Sequence, residues 1–350
     1  MKIIVDAMGG DNAPMEIVKG AVMASEEFDT NIILTGAVEK ILKCLNDAGY
    51  AQLPPKIEIA NATQVVEMED DPSTVTRAKK DSSMSVGLKM LAEGAADAMV
   101  SAGNTGALLS GATLIVKRIR GIRRAAVAPF LPSATGEVLI IDSGANAECT
   151  PEYLLQFAYM GSFYVKASKG LKEPKVGLLN IGTEETRGTA LQKEAYKLLT
   201  GAGNRGDINF VGNVEARDVL SGVCDVVVCD GFSGNVLLKS VEGSAMFLMK
   251  KVKQIFMKNA MTKMAALMVK GQIADFKKSM SYEEIGGTAF IGIRKPVIKA
   301  HGSSNAYSIR SAIKQAIEVA KSDISSKIEE NIESMKIVHD THSGSEGEIV

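Results

Sequence analysis

The 350-residue chain has no tryptophan, and aromatic residues make up only 5% of it. Stacking platforms for single-stranded bases are therefore not expected. Charge of neither sign dominates: 40 basic residues against 41 acidic ones leave a formal net charge of -1. No global field draws the chain to nucleic acid, and a polyanionic partner must be met by a local patch. Cysteine is scarce. Cys44, Cys149, Cys224 and Cys229 form no C-x-x-C pair, which argues for packing residues in a reducing cytoplasm and against a disulfide framework or zinc site. No apolar run is long enough to span a bilayer, and Met1 leads into a strand-like run instead of a signal peptide. The G-x-S-x-G elbow of serine hydrolases and the H-E-x-x-H metal signature are both missing. No metal and no cofactor is expected. These absences favour an enzyme that positions two substrates over one that attacks with its own side chain.

The composition that remains, 46% hydrophobic and 23% charged, is that of a soluble globular protein. The opening stretch, MKIIVDAMGGDNAP, reads as a strand ending at Asp6, a tight loop, and a helix with Pro14 at its first position. This loop has neither the G-x-G-x-x-G spacing of a dinucleotide fingerprint nor the Lys-Ser/Thr pair of a nucleoside-triphosphate loop, which counts against a cofactor-dependent dehydrogenase. The same grammar recurs. Apolar runs at Ala98, Val138, Val176, Ile208, Val226 and Val297 each end in a Gly/Asn/Asp/Ser/Thr loop, and in most cases a helical pattern follows. Strands alternating with helices predict a three-layer α/β/α fold with a largely parallel sheet. Ligands of such sheets sit outside the carboxyl ends of the strands, where all these loops lie.

SAGNTGA is the strongest anion candidate. Gly103 and Gly106 allow close backbone approach, Asn104 and Thr105 offer side-chain donors, and the following helix adds free N–H groups at its start. An ordinary turn with a Thr cap would have the same composition. In KAHGSSNA, Lys299 and a helix start could bind an anion while His301 donates a hydrogen bond or proton. The plainer reading has Ser303 and Ser304 as caps and His301 bonded to a backbone carbonyl. Asn104 and Lys299 are both expected at a polar rim. NIGTEETRG places Thr183, Glu184 and Arg187 in one loop. Two basic clusters stand out: TRAKKDSSM, with Arg77, Lys79 and Lys80, and KRIRGIRR, with Lys117, Arg118, Arg120, Arg123 and Arg124. The second holds five cations in eight residues without an acid, the pattern of a docking patch for an acidic partner.

From Lys250 to Lys278, eight lysines face one acid, Asp275, and residues 246–280 hold seven of the 17 methionines. Leu248, Val252, Phe256, Ala260, Met264 and Leu267 recur at helical spacing. Periodicity alone describes a core helix with solvated lysines. However, Asn259-Ala260-Met261-Thr262 could turn the chain, and one straight helix would put Lys263 and Lys270 near the stripe. The alternative is a projecting amphipathic pair on an anionic membrane, with Met264, Leu267 and Met268 inserting and Lys263 and Lys270 attracting lipid. The polar tail at 335–350, with His339 and His342, is expected to be disordered.

Eight stretches in order resemble the bacterial phosphate acyltransferase (PlsX) family: DAMGGDNAP, R-x-K-K-x-S-S-M from Arg77 to Met84, SAGNTGAL, GAN at Gly144–Asn146, GLLNIGTE, FVGNVEARD, VVVCDGFSGN and VIKAHGSS. They run to about residue 330. The resemblance implies transfer of a long-chain acyl group from acyl carrier protein to inorganic phosphate, giving an acyl phosphate for phospholipid synthesis. It implies a homodimer of a fold similar to phosphotransacetylases and the isocitrate-dehydrogenase group. The expected organisation is one catalytic unit over 1–334, with two subdomains around a cleft as the alternative; the Lys/Met-rich stretch adds a projecting segment at 246–282 and a location in the cytoplasm at the inner face of the membrane. Lys299, His301 and Asn104 are then the expected catalytic groups. Gly103, Thr105, Gly106, Thr183, Ser303, Ser304, Arg77 and Lys80 would bind phosphate. Asp6, Asn12, Asn146, Asn180, Asp230 and Asn235 would wall the site. Acyl carrier protein, which is acidic, would dock on the KRIRGIRR cluster, and a glycerol-3-phosphate acyltransferase is a further partner to expect. Two other readings stay open: a short-chain phosphotransacetylase using acyl-coenzyme A, and a non-enzymatic scaffold at the membrane.

Overall fold

The computed structural model describes residues 1–272 and 286–336. Two sheets carry the chain. The first has seven strands in the order β3-β2-β1-β4-β12-β11-β5. These are β1 (Lys2–Asp6), β2 (Asn31–Gly36), β3 (Ile57–Asn61), β4 (Ala98–Ser101), β5 (Ala126–Ala128), β11 (Thr288–Ile291) and β12 (Val297–Lys299). All its pairings are parallel except those of β11, which runs antiparallel to both neighbours. The second sheet has the order β6-β7-β10-β8-β9. It comprises β6 (Phe130–Ser133), β7 (Gly136–Ile141), β8 (Lys175–Asn180), β9 (Asn209–Glu215) and β10 (Val226–Val228), with only β6 antiparallel. The expected single sheet is thus two, and the chain passes between them at Pro129, where β5 of one is followed by β6 of the other.

Central strands are apolar on both faces. Ile3, Ile4 and Val5 of β1 and Val226, Val227 and Val228 of β10 are all buried. This is the pattern of strands covered by helices on both sides. The helices are α1 (Met15–Glu27), α2 (Val38–Asp47), α3 (Ser83–Ala92), α4 (Thr105–Gly111), α5 (Pro151–Lys169), α6 (Ala190–Asn204), α7 (Gly231–Phe256), α8 (Ala260–Met268), α9 (Ala306–Ser322) and α10 (Ile324–Glu330). Local chemistry sets their starts. Thr150 caps α5 with Pro151 behind it, Asp230 caps α7, and Asn305 caps α9 through its side-chain oxygen.

Several boundaries differ from the sequence reading. Pro14 precedes α1 instead of opening it. The run after SAGNTGA is helical only to Lys117, with a π-helical stretch from Ala112, so KRIRGIRR is mostly loop. GNVEARD is not a loop: β9 continues to Glu215 before turning. Met335, assigned to the tail, is 0% exposed and belongs to the main core, so the ordered chain extends past Ser334. His339 and His342 lie outside the described residues.

The segment after residue 246 is two helices, as the hinge at Asn259 suggested. Asn259 accepts from the Thr262 N–H and caps α8. No residue of α8 is buried, and Leu267 and Met268 are 72% and 80% exposed, so the core-helix reading fails within this chain. Met264, Lys263 and Lys270 are exposed beside them. Residues 273–282 of the expected segment lie outside the described residues.

Candidate functional site

Register places three side chains abreast at the carboxyl edge of the first sheet. Val5 pairs with Val100 and Lys299 with Ser101, so Asp6, Ser101 and Lys299 end neighbouring strands. Ser101 Oγ donates to Asp6 Oδ2 at 2.7 Å and accepts from the Gly103 N–H at 3.1 Å. Burial holds the Asp6 carboxyl above its ordinary range, against the opposing hydrogen bonds of Ser83 and Ser101. The opening loop folds over this acid. A Cβ on Gly9 would lie 2.6 Å from Asp6 Oδ2 and 2.8 Å from Gly103 N, so only glycine fits there. Asp11 N donates to Gly302 O at 2.8 Å, and the exposed Asn12 donates to the carbonyls of Ser303 and Ser304 at 3.1 and 3.2 Å. DAMGGDN, SAGNTGA and KAHGSS therefore meet in one place.

Within that cluster the expected donors sort into two kinds. The Gly103 N–H is already bonded inward, to Ser101. Asn104 is not a rim residue: at 9% exposed, it accepts from Ala107 N at 2.9 Å and caps α4. Its amide nitrogen donates to the carbonyls of Met68 at 2.8 Å and Asp70 at 3.1 Å, tying down the 67–70 loop. Asn104, not a threonine, is the cap. Thr105 is exposed, and among the described residues the N–H groups of Thr105 and Gly106 have no acceptor. These are open donors at the positive end of a helix.

Lys299 also departs from the rim. Its ammonium reaches Ala102 O at 3.2 Å and the Ala300 carbonyl. Burial lowers its pKa to about 8, Asp11 and Asp6 oppose this, and Lys239 on α7 adds a smaller push downward. That last effect brings a side chain from the second sheet's helices within electrostatic reach of the first cluster. His301 is exposed; its Nδ1 accepts from Ser303 N at 3.3 Å and lies 2.8 Å from Ser303 Oγ. In the neutral ring this leaves the hydrogen on Nε2. Ser304 is buried, and among the described residues its hydroxyl has no partner.

The remaining expected residues are not in this cluster. At the carboxyl edge of the second sheet, the buried Asp142 accepts from Val127 N at 2.9 Å and from Asn146 N at 2.7 Å and Nδ2 at 2.9 Å. Asn235 donates to Ser143 O at 3.1 Å, and Asp230 holds the start of α7. Asp142, which no motif reading singled out, is the hub here, and its bond to Val127 ties β5 to the second sheet. The signal was available: like Asp6, it is an acid directly after an apolar strand. Burial raises the pKa of Asp142, and it pushes the half-buried Cys149 thiol up to about 12, so that thiol is no nucleophile at neutral pH. A third group joins NIGTEETRG to β9: Asn180 donates to Arg187 O at 3.2 Å, and Asn213 donates to Glu184 O at 2.9 Å. Thr183 is exposed, and Arg187 is spent on Glu184 at 3.1 Å.

The basic clusters are partly consumed. Lys79 pairs with Asp70 at 2.5 Å, while Arg77 and Lys80 are exposed further along the chain, past the 67–70 loop that Asn104 holds. In KRIRGIRR, Arg123 does have an acid partner, Glu152 at 3.0 Å, Arg118 donates to the Arg123 carbonyl, and Arg124 stacks 5.6 Å from the Tyr153 ring centre. Lys117 and Arg120 are exposed. The dinucleotide spacing absent from the opening loop does occur, at Gly201–Gly206, but at the C-terminal end of α6, where a phosphate would meet carbonyls.

A family model described as fatty acid synthesis protein matches residues 1–327. The chain belongs to that family. A phosphate acyltransferase of Alkaliphilus oremlandii is 46% identical over 335 residues, covering 96% of this chain and 98% of the relative. One of a Geobacillus species is also 46% identical over 335 residues, covering 95% and 99%. The family is thus one of phosphate acyltransferases, as the ordered motifs implied, and this member is an enzyme. Among solved structures, a phosphotransacetylase of Streptococcus pyogenes matches with a TM-score of 0.60 at 19% identity, covering 92% of this chain and 94% of that one. A branched-chain phosphotransacylase of Enterococcus faecalis V583 gives 0.57 at 15%, covering 91% and 99%. These establish a shared fold.

Proposed function

We propose that this family member transfers a long-chain acyl group from the thioester of acyl carrier protein to inorganic phosphate. The observation that carries the reading is the convergence of three loops at the ends of β1, β4 and β12, where the N–H groups of Thr105 and Gly106 and the Lys299 ammonium offer an anion site. In this mechanism Thr105, Gly106, Lys299 and Ser303 hold phosphate, with Arg77 and Lys80 on the flanking segment. A phosphate oxygen attacks the thioester carbon; the C–O bond forms, the C–S bond breaks, and the thiolate leaves. Phosphate is already a nucleophile and thiolate a fair leaving group, so positioning and oxyanion stabilisation are what the protein must supply. His301 Nε2–H is the donor assigned to the oxyanion. Asn104 and Gly103 shape the site instead of touching substrate, and Asn146, Asn180, Asp230, Asn235 and Thr183 belong to the facing wall from the second sheet.

Acyl carrier protein docks on Lys117 and Arg120, with the other KRIRGIRR cations as support. The exposed apolar residues of α8 and of the outer part of α7 lie on an anionic membrane surface in a homodimer, near the glycerol-3-phosphate acyltransferase that consumes the product. Among the described residues no helix is long and apolar enough to cross a membrane. The test is to follow free thiol from palmitoyl-acyl carrier protein with and without phosphate, in chelator. Release should require phosphate. Equal release without it would make the protein a thioesterase, and use of acyl-coenzyme A but not the carrier protein would favour the short-chain phosphotransacetylase reading.

A further inference from the structure

We propose a second small-molecule site, for a phosphate monoester, on the opposite edge of the second sheet. A cavity of about 360 Å³ lies there, lined by Ser162, Lys166, Lys172, Glu173, Asp207 and Asn209 among others. It sits where β8 and β9 begin, at Lys175 and Asn209, whereas the loops of the candidate active site follow the other ends of the parallel strands. The inference does not rest on the proposed reaction.

Ser162 is 1% exposed, and among the described residues its hydroxyl has no hydrogen-bond partner. Burying a hydroxyl without a partner is unfavourable, so a hydroxyl on a cavity wall points to a ligand that completes it. Lys166 lies one helical turn further along α5, on the same face. Lys172 adds a second ammonium from the loop that follows. Of the two lining acids, Asp207 is engaged: its Oδ2 accepts from Tyr159 OH at 2.7 Å and from Arg205 Nε at 2.8 Å. Asn209 Nδ2 is held by the Glu173 carbonyl at 3.3 Å. Lys166, Lys172 and Arg205 against Glu173 and Asp207 leave a positive excess. One hydroxyl and two ammoniums form a donor set for a phosphoryl group, and the Glu173 carboxylate can accept from hydroxyls on the ester's carbon skeleton. The volume is at the small end of ligand sites, which suits a compact ester and not a nucleotide.

The same helix links the two regions. α5 begins at Pro151, beside the Asn146–Cys149 loop, and carries Ser162 and Lys166 towards its other end. A ligand in the cavity therefore bears on an element that reaches the far edge.

Calorimetric titration of the full chain with glycerol 3-phosphate, and separately with inorganic phosphate, tests the site. Wild type should bind the ester, and the pair Lys166→Met with Lys172→Met should weaken it by roughly tenfold or more, the loss of charge-assisted contacts. Ser162→Ala should weaken it by about threefold or more and leave thermal unfolding unchanged, because that hydroxyl has no protein partner to lose. Inorganic phosphate can also enter the active site, so only the component lost in the variants counts. Such a component with the ester alone identifies an ester site; with both probes it identifies recognition of the phosphoryl group from either source. No ester binding by wild type, or identical isotherms in all three proteins, overturns the proposal.

Discussion

Replacing Asn104 with Ala should destabilise the protein measurably, not only slow it. The side chain has two jobs. Its oxygen caps α4 by accepting from Ala107 N at 2.9 Å, and its nitrogen donates to the carbonyls of Met68 and Asp70 at 2.8 and 3.1 Å. Loss of an Asn cap costs about 1 kcal/mol. Loss of the two loop bonds adds about 1 kcal/mol each. The total is about 3 kcal/mol. With an unfolding entropy of about 2.1 cal/mol/K per residue, a chain of 350 residues loses about 0.7 kcal/mol per kelvin at its midpoint, so Tm should fall by about 4 °C. Asn104→Asp keeps the cap acceptor and gives up the donor, so it should recover about a third of that loss. Scanning calorimetry gives Tm, and thiol release at varied phosphate gives the kinetic split. Because Asn104 shapes the loop, the phosphate KM should rise along with the fall in Tm. An unchanged Tm together with a loss of kcat of roughly 10²–10³, the usual cost of removing a transition-state donor, would refute this account and put the amide on the substrate.

Lys299 is charged below its lowered pKa of about 8 and neutral above it, so kcat/KM should fall as pH rises through about 8. Lys299→Arg should move that limb to higher pH, and an unmoved limb would take Lys299 out of the reaction; Lys299→Ala should cost roughly 10²–10³ in turnover. Lys117→Glu with Arg120→Glu should raise KM for carrier-protein substrates and weaken its salt dependence while Tm holds, and equal loss on a small thioester would refute the docking role. Arg123→Glu, which also breaks the Glu152 pair, should cost some Tm as well. Leu267→Glu with Met268→Glu should abolish sedimentation with anionic vesicles and leave soluble activity intact; wild type remaining in the supernatant at low salt would refute membrane contact.

The alternation of apolar runs and polar loops made the α/β class legible, because buried parallel strands must be apolar and their loops must be polar. It also placed the loops that meet around Asp6, since each follows a parallel strand. What pattern could not show was partnership. Asn104, Gly103 and Lys299 look like ligand groups by type, yet all three bond inward, because a buried helix start, the Ser101–Asp6 pair and nearby backbone carbonyls need donors and acceptors of their own. Asp142 went unremarked for the opposite reason: an acid at a strand end looks like a turn residue until five nearby donor contacts surround it. The split into two sheets was hidden because β5 and β6 are short and only Pro129 separates them. Met335 was assigned to the tail because a single apolar residue carries no period.

α7 has a mechanical consequence. It is one helix of 26 residues, about 39 Å long, rooted at Asp230 in the second cluster and exposed and apolar at its outer end. Such a rod turns a sideways displacement into an angle. A shift of about 4 Å at the tip tilts it by about 6°, and Lys239, nine residues from the root and so about 14 Å along, swings by more than about 1 Å. A misplacement of about 1 Å is enough to change a rate by orders of magnitude. Whatever surface seats the tip therefore also sets the aim of a charge that acts on Lys299, and the helix acts as a lever arm between where the protein rests and where it reacts.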